Sequence, residues 1–249
     1  MTRAHPRLDD WLVSKGHYAS RARARDAVGR GCVSLDGRAC TKPSRAVVEG
    51  MKVTIDDPAQ RYVSRAALKL ISALTKTGYS PKGLTALDLG ASTGGFCQVL
   101  LEHNAADVYA VDVGHGQLDA KIANHPRLTN LEGLNARELT FDHLEGIAPH
   151  FITSDLSFIS LKLALPAALR LAANGAIGIF LIKPQFEVGK DALGKGGIVR
   201  DPALVEKCAQ DIASWLDGQD GWQVTHLLPS PITGGDGNTE YLLAGRKHD

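Results

Sequence analysis

The chain has 249 residues, 44% hydrophobic and 22% charged, enough for one medium domain and a small one around a sizeable core. The formal net charge is +1, but residues 1–60 carry eleven Lys and Arg against seven Asp and Glu, while the remainder carries seventeen against twenty, so a polyanion would meet the N-terminal side first. Cysteines 32, 40, 97 and 208 form no CxxC pair, which argues against a zinc site or a disulfide framework and fits a reducing cytoplasm. Asp9 and Asp10 precede any apolar stretch, unlike a signal peptide, and the longest apolar run, 176–182, is far too short to span a bilayer. The expectation is a cytoplasmic protein without a membrane partner.

Leu8, Trp11 and Leu12 stand at helical i, i+3, i+4 spacing and start a first helix. Ser20 caps a second, 21–28, whose Ala24 and Val28 share one face while Arg21, Arg23 and Arg25 turn outward, until Gly29 and Gly31 end it. Two short strands, 32–35 and 52–55, follow, the first closed by the turn Asp36-Gly37. Arg7-Leu8-Asp9, Ser20-Arg21, the run 31–37, Lys42-Pro43-Ser44 and Val47 together resemble the small RNA-binding domain first named for a ribosomal small-subunit protein, the S-four type. That resemblance implies contact with phosphates of structured RNA through a convex cationic face, with Arg7, Arg21, Arg25, Lys42 and Arg45 as its candidates. Without the flanking pattern the same charges read as a solvated surface.

The expected domains are 1–56, a linker at 57–63, and a catalytic domain over 64–249. Residues 63–77 read as a helix capped by Ser64, with Ala67, Leu68, Leu70, Ile71 and Leu74 on its apolar face. Beyond it the pattern alternates: strands at 85–89, 107–112, 128–131, 151–155, 176–182, 222–228 and 239–245, helices at 94–103, 117–123, 160–172 and 202–217. This predicts an α/β fold, a Rossmann-like parallel sheet with helices on both faces, preceded by a small α+β domain. The link between the last two strands is too short for a parallel crossover, so they form an antiparallel pair.

An apolar strand at 85–89 ends in Asp88-Leu89 and opens into Gly90-Ala91-Ser92-Thr93-Gly94-Gly95-Phe96, while a second strand ends in Asp112, seventeen residues after Gly95. Such a turn brings backbone close to a ligand, and an acid at the end of the second strand suits a ribose diol. The glycine spacing does not match GxGxxG, so no pyrophosphate is required. The run resembles the cofactor loop of S-adenosylmethionine-dependent methyltransferases. The resemblance implies that Asp88 and residues Gly90 to Phe96 hold the methionine part and Asp112 the ribose, with Asn135 near the adenine and Val113 and Asp155 also binding the cofactor.

Asp155 and Lys183 each close an apolar strand, where α/β sheets bind their ligands, and Glu240 lies at the start of the last one. A lysine after six apolar residues is expensive to bury unless carboxylates offset it, and Asp155 and Glu240 are the expected partners of Lys183, with Lys69 a second cation. Lys69, Asp155, Lys183 and Glu240 match the Lys, Asp, Lys, Glu pattern of the FtsJ group of ribose 2′-O-methyltransferases. Lys183 is then the general base for a hydroxyl that is a poor nucleophile, without metal and without a covalent enzyme intermediate. Asp155-Leu156-Ser157-Phe158 raises a rival, a methyltransferase acting on exocyclic base amines, but its two central prolines are missing and amines need no lysine base.

With both parts on one chain, the sequence closely resembles the TlyA, or haemolysin A, family of ribosomal RNA cytidine 2′-O-methyltransferases. The most specific stretches are 88–96, 112–118, 154–160 and 183–189. The resemblance implies ribosomal RNA within ribosomal subunits as partner, leaving the nucleotide, the subunit and the oligomeric state open. The haemolysin label raises a membrane-lytic class, against which stand the lack of a spanning segment and of barrel-like hairpins; a binding module without catalysis is a further alternative. The glycine-rich loop 189–200 carries Lys190, Lys195 and Arg200, placed to hold phosphates around a flipped nucleotide or simply to form a mobile surface loop.

Overall fold

A computed structural model describes residues 5–248. The chain divides into two compact units, meeting at Arg61 and Tyr62.

In the first unit, α1 (Leu8–Ser14) and α2 (Arg21–Gly29) pack together beside an antiparallel three-stranded sheet of β1 (Val33–Leu35), β2 (Arg38–Ala39) and β3 (Val53–Ile55), in the order β2-β1-β3. Leu8 and Leu12 from α1, Ala24, Ala27 and Val28 from α2, and Val33 are fully buried and form its core. Ser20 caps α2 by accepting from the Arg23 amide at 3.4 Å. Asp57, placed by the sequence reading in the linker, accepts from Arg30 at 2.9 and 3.0 Å and from the Tyr18 hydroxyl at 3.0 Å. Burial and this carboxylate push the Tyr18 hydroxyl above its usual range.

The second unit is a seven-stranded sheet. Its elements are α3 (Ala67–Thr77), β4 (Thr85–Leu89), α4 (Gly95–Glu102), β5 (Asp107–Asp112), α5 (Ala120–Ala123), β6 (Leu128–Glu132), β7 (Phe151–Ser154), α6 (Leu161–Ala164), α7 (Pro166–Leu171), β8 (Ile177–Ile182), α8 (Pro184–Glu187), α9 (Pro202–Asp217), β9 (Trp222–Pro229) and β10 (Tyr241–Lys247). The strand order is β6-β5-β4-β7-β8-β10-β9; the first five are parallel, and β10 runs antiparallel to both of its neighbours. Two apolar layers cover the sheet: α3 and α4 with Phe151, Ile179 and Leu242 on one side, and α6, α7 and α9 with Leu87, Ile152 and Phe180 on the other. Phe151 and Phe180 are fully buried, and truncating either to alanine costs about 3–5 kcal/mol in transfer and cavity terms.

Boundaries move where local chemistry overrides periodicity. The helix expected over 160–172 breaks in two at Pro166, whose ring and missing N–H start a new helix instead of continuing the old one. The helix expected from residue 63 begins at Ala67: the Val63 amide donates to Gln98 Oε1 at 2.8 Å, and Ser64 Oγ accepts from the Ala66 amide at 3.2 Å, so Ser64 shapes a turn ahead of the helix. Asp119 caps α5 by accepting from the Lys121 amide at 2.9 Å, which leaves 117–118 in a loop. Asp155 lies just past β7 and Glu240 just before β10.

Candidate active site

The carboxyl ends of β4, β5, β7 and β8 meet at one edge of the parallel sheet, and the loop after β4 lies across it. Gly90 has φ +80°, and a Cβ there would sit 2.9 Å from the Asp155 carbonyl oxygen, so only glycine lets this loop press against the loop after β7. The Gly90 and Ala91 amides both donate to the Val111 carbonyl, at 2.8 and 3.2 Å, stitching the turn to β5. Ser92 takes φ +47°, uncommon for a residue with a Cβ, and its amide donates to Asp112 Oδ2 at 2.8 Å. The Gly114 amide donates to Asp112 Oδ1 at 2.7 Å, so the carboxylate is fixed at both oxygens with lone pairs remaining. A cavity of about 320 Å³ opens here, lined by Gly90, Ser92, Asp112, Val113, Gln117 and Leu134 among others. A second space of about 150 Å³, sharing Gly90, Ser92, Asp155 and Ser157, reaches Thr93, Gly95, Phe96 and Lys183.

Behind the second space sits a chain of alternating charges. Glu240 Oε2 lies 2.7 Å from Lys69 Nζ, which lies 4.0 Å from Asp155 Oδ2; Asp155 Oδ1 in turn lies 2.7 Å from Lys183 Nζ. The two 2.7 Å contacts are ion pairs whose acceptor oxygens lack directional hydrogen bonds. Side-chain exposures of 6, 2, 16 and 11% for Lys69, Glu240, Asp155 and Lys183 put the group largely out of water, where each lysine is tolerable only because a carboxylate faces it. One expectation is corrected: Glu240 pairs with Lys69, not Lys183, because α3 packs on β10 and carries Lys69 to the residue that precedes that strand. Lys183 has instead a partner the sequence reading missed, donating to Ser157 Oγ at 2.8 Å.

Asp88 also departs from expectation. It lines neither space; mid-strand in β4 and 1% exposed, it accepts from Thr153 Oγ1 at 2.8 Å and from Cys97 Sγ at 3.0 Å. Burial, with the charges of Asp155 and Asp112 beyond the loop, pushes its carboxyl up to about 6, although Cys97 and Thr153 oppose the shift. Asn135 accepts from the Arg137 amide at 3.1 Å and caps the turn 136–138; its neighbours Leu134 and Ala136 are the ones that line the cavity. Gly94, at φ +89°, packs under Leu118 and Ile122 and lines neither space. Phe158, which the sequence offers only as the aromatic of the rival Asp155-Leu156-Ser157-Phe158 pattern, is 90% exposed, at φ +65°, with its ring 5.0 Å from that of Phe186, and lines the larger cavity. Its exposure and its positive φ are what that pattern does not carry.

The cations expected to meet RNA separate into two kinds. Arg7 donates to both oxygens of Asp9 at 3.0 and 3.2 Å, and Arg21 reaches Asp9 Oδ2 at 3.1 Å and Asp10 Oδ1 at 2.7 Å, so these two arginines are counter-ions and the four-residue patch is neutral. Arg25, Lys42 and Arg45 are exposed. Lys42 and Arg45, with Arg38 as an unanticipated third cation, line a cleft of about 520 Å³ in the first unit. Lys190, Lys195 and Arg200 are exposed on the loop after α8.

A parallel sheet with its glycine loop fixed to an acid on the neighbouring strand, and a buried Lys–carboxylate chain beside it, is a Rossmann-like methyltransferase architecture. Residues 62–247 match the FtsJ-like methyltransferase family and residues 6–53 match the S4 domain. The chain belongs to the FtsJ-like methyltransferases. It is 42% identical over 238 residues to the 16S/23S rRNA (cytidine-2′-O)-methyltransferase TlyA of Mycobacterium tuberculosis, covering 95% of this chain and 88% of that one. It is 38% identical to Hemolysin A of Brachyspira hyodysenteriae, covering 95% and 98%. A solved structure from Streptococcus thermophilus, named "Putative hemolysin", superposes with a TM-score of 0.76 at 36% identity, covering 99% of this chain and 90% of that one.

Proposed function

We propose that this protein transfers a methyl group from S-adenosylmethionine to the 2′-hydroxyl of a cytidine in ribosomal RNA, within a ribosomal subunit. The observation that carries the reading is Lys183 Nζ, held at 2.7 Å by Asp155 and at 2.8 Å by Ser157 where the cofactor loop ends. The names of the relatives supply the substrate class, and the S4 match supports an RNA partner.

The residues present fit the cofactor. Asp112, fixed by two backbone amides, offers its remaining lone pairs to a ribose diol, Val113 and Leu134 offer apolar surface to a flat base, and the loop from Gly90 to Phe96 presents backbone to the methionine part. When bound, S-adenosylmethionine supplies a methyl group already electrophilic on its sulfonium. The chain therefore has to orient a weakly acidic hydroxyl and remove its proton. Lys183, aimed by Asp155 and Ser157, would meet the ribose oxygen and, once its own ammonium has given a proton to solvent, would take the hydroxyl proton as a neutral amine. Lys69 and Glu240 hold Asp155 in place from behind. The first unit supplies RNA affinity, through Arg25, Arg38, Lys42 and Arg45, and the second supplies the chemistry.

The exocyclic-amine alternative loses ground because an amine needs no lysine base, whereas Lys183 stands beside Asp155 at this site. A lytic reading finds no helix, among the described residues, long and apolar enough to cross a membrane. The test is transfer of labelled methyl from S-adenosylmethionine to ribosomal subunits purified from cells lacking this protein. Label in the RNA of at least one subunit supports the reading; label in protein only, or none, contradicts it.

A further inference from the structure

Asn238 is one of the few buried polar side chains outside the charge chain, at 2% exposure, and its amide is satisfied at both ends by the backbone of the loop 189–200. Oδ1 accepts from the Val199 amide at 3.0 Å and Nδ2 donates to the Gly197 carbonyl at 3.1 Å, an orientation set by the donor at one end and the acceptor at the other. Its own carbonyl accepts from the Gly234 amide at 2.8 Å, closing a turn, and two residues later Glu240 pairs with Lys69. The loop starts just beyond α8, which follows Lys183 directly, so both ends of this system join the reacting cluster.

We infer that Asn238 is a positioning residue that clasps the cationic loop 189–200 to the segment bearing Glu240 and so presents Lys190, Lys195 and Arg200 to the RNA. This rests on the RNA methyltransferase reading above. Gly189, Gly194, Gly196 and Gly197 make the loop entropically costly to order, and Gly196 and Gly197 take φ +81° and +73°. Turns within the loop, from the Gly194 amide to the Ile198 carbonyl at 2.9 Å and from Gly197 to Gly194 at 3.0 Å, shape its tip but do not attach it to the sheet. Asn238 makes the attachment. A loop ordered before the substrate arrives binds RNA more tightly than one that RNA must order.

The experiment measures RNA affinity by filter binding, KM for ribosomal subunits, kcat, and S-adenosylmethionine affinity by calorimetry for the full chain. Asn238→Ala should raise KM and the RNA dissociation constant about tenfold, the scale of two lost hydrogen bonds, with cofactor affinity and melting temperature reporting an intact fold. Asn238→Asp, which keeps the acceptor for Val199 but sets an oxygen against the Gly197 carbonyl, should behave alike and guards against misfolding of the first variant. The discriminating arm repeats Asn238→Ala in a Lys190→Ala, Lys195→Ala, Arg200→Ala background, where it should add less than about twofold because the groups it positions are gone. Equal penalties in both backgrounds, unchanged RNA affinity, or a parallel fall in cofactor affinity would each overturn the inference. Filter binding reads the loop without catalysis, so a chain that binds RNA but methylates none of it counts against the methyltransferase reading alone.

Discussion

Two groups of two cations and two acids sit in the two units, and they differ in cation type, burial and contact pattern. In the first unit Arg7 and Arg21 enclose Asp9 and Asp10 in contacts of 2.7–3.2 Å, and the arginines stay 48 and 54% exposed. In the second, Lys69, Asp155, Lys183 and Glu240 are all at or below 16% exposure and are strung in a line, with only single contacts between them. A guanidinium stays charged at any working pH and grips a carboxylate with a fixed fork, which suits a structural clasp. An ammonium can give up its proton. Charge number is equal in the two groups; cation type, burial and contact pattern decide which one can do acid–base chemistry.

The largest expected effect separates them most sharply. Lys183→Ala should retain RNA binding and most cofactor affinity while turnover falls about 10²- to 10⁴-fold, the range for a lost general base, and Lys183→Arg should not restore it. Full activity in Lys183→Arg, measured by single-turnover methyl transfer, would make this lysine a mere counter-ion like Arg21. Next, Asp112→Ala should weaken S-adenosylmethionine binding by about 1.5–3 kcal/mol, as expected for hydrogen bonds to a charged group; calorimetry showing unchanged affinity would remove Asp112 from the site.

The buried acids give an effect in stability. The Arg7 and Arg21 guanidinium groups hold the Asp9 carboxyl at about 2, below its ordinary 3.8, so the stability it lends is present above pH 4 and is lost as pH falls through 2. Asp88, facing a thiol and a hydroxyl instead, sits at about 6, so its contribution is present below 3.8 and is lost as pH rises through 6. Thermal melts between pH 4 and 7 should therefore show a slope that Asp88→Asn removes and that no change at Asp9 alters; a slope surviving in Asp88→Asn would assign it elsewhere. The smallest effect is expected for Arg21→Ala, about 0.5–1 kcal/mol in the first unit, because Arg7 still faces Asp9 and the pair is shallow enough for water to replace what is lost. A loss of several kcal/mol in a denaturant melt would show that this clasp is buried in effect, like its counterpart.

Periodicity and strand-end chemistry made much of this architecture legible. The strands β4, β5 and β8 carry long apolar runs, the glycine loop announces a close backbone approach, and four charges placed where apolar strands and a helix present them do come together. What stayed hidden depends on the third dimension. Alternation along β4 turns Asp88 to the face that α4 covers, against Cys97 and Thr153, which its place before a glycine turn does not reveal. The packing of α3 on β10 decides that Glu240 meets Lys69, and of the cations that read as an RNA face Arg7 and Arg21 are committed to the acids of α1. Only the fold shows that the Asn238 amide spans to Gly197 and Val199, 41 and 39 residues away in the chain.

The proposed proton transfer from a ribose 2′-hydroxyl to Lys183 makes the product a 2′-O-methyl ribose. It is tested most directly by alkaline hydrolysis of ribosomal RNA after reaction with the full chain and with Lys183→Ala. A 2′-O-methyl group removes the internal nucleophile for cleavage of the adjacent phosphodiester. A gap in the ladder at a cytidine of at least one ribosomal RNA should appear with the unaltered protein and be absent with Lys183→Ala. Incorporated methyl accompanied by an unbroken ladder would place the group on a base and exclude the ribose reaction.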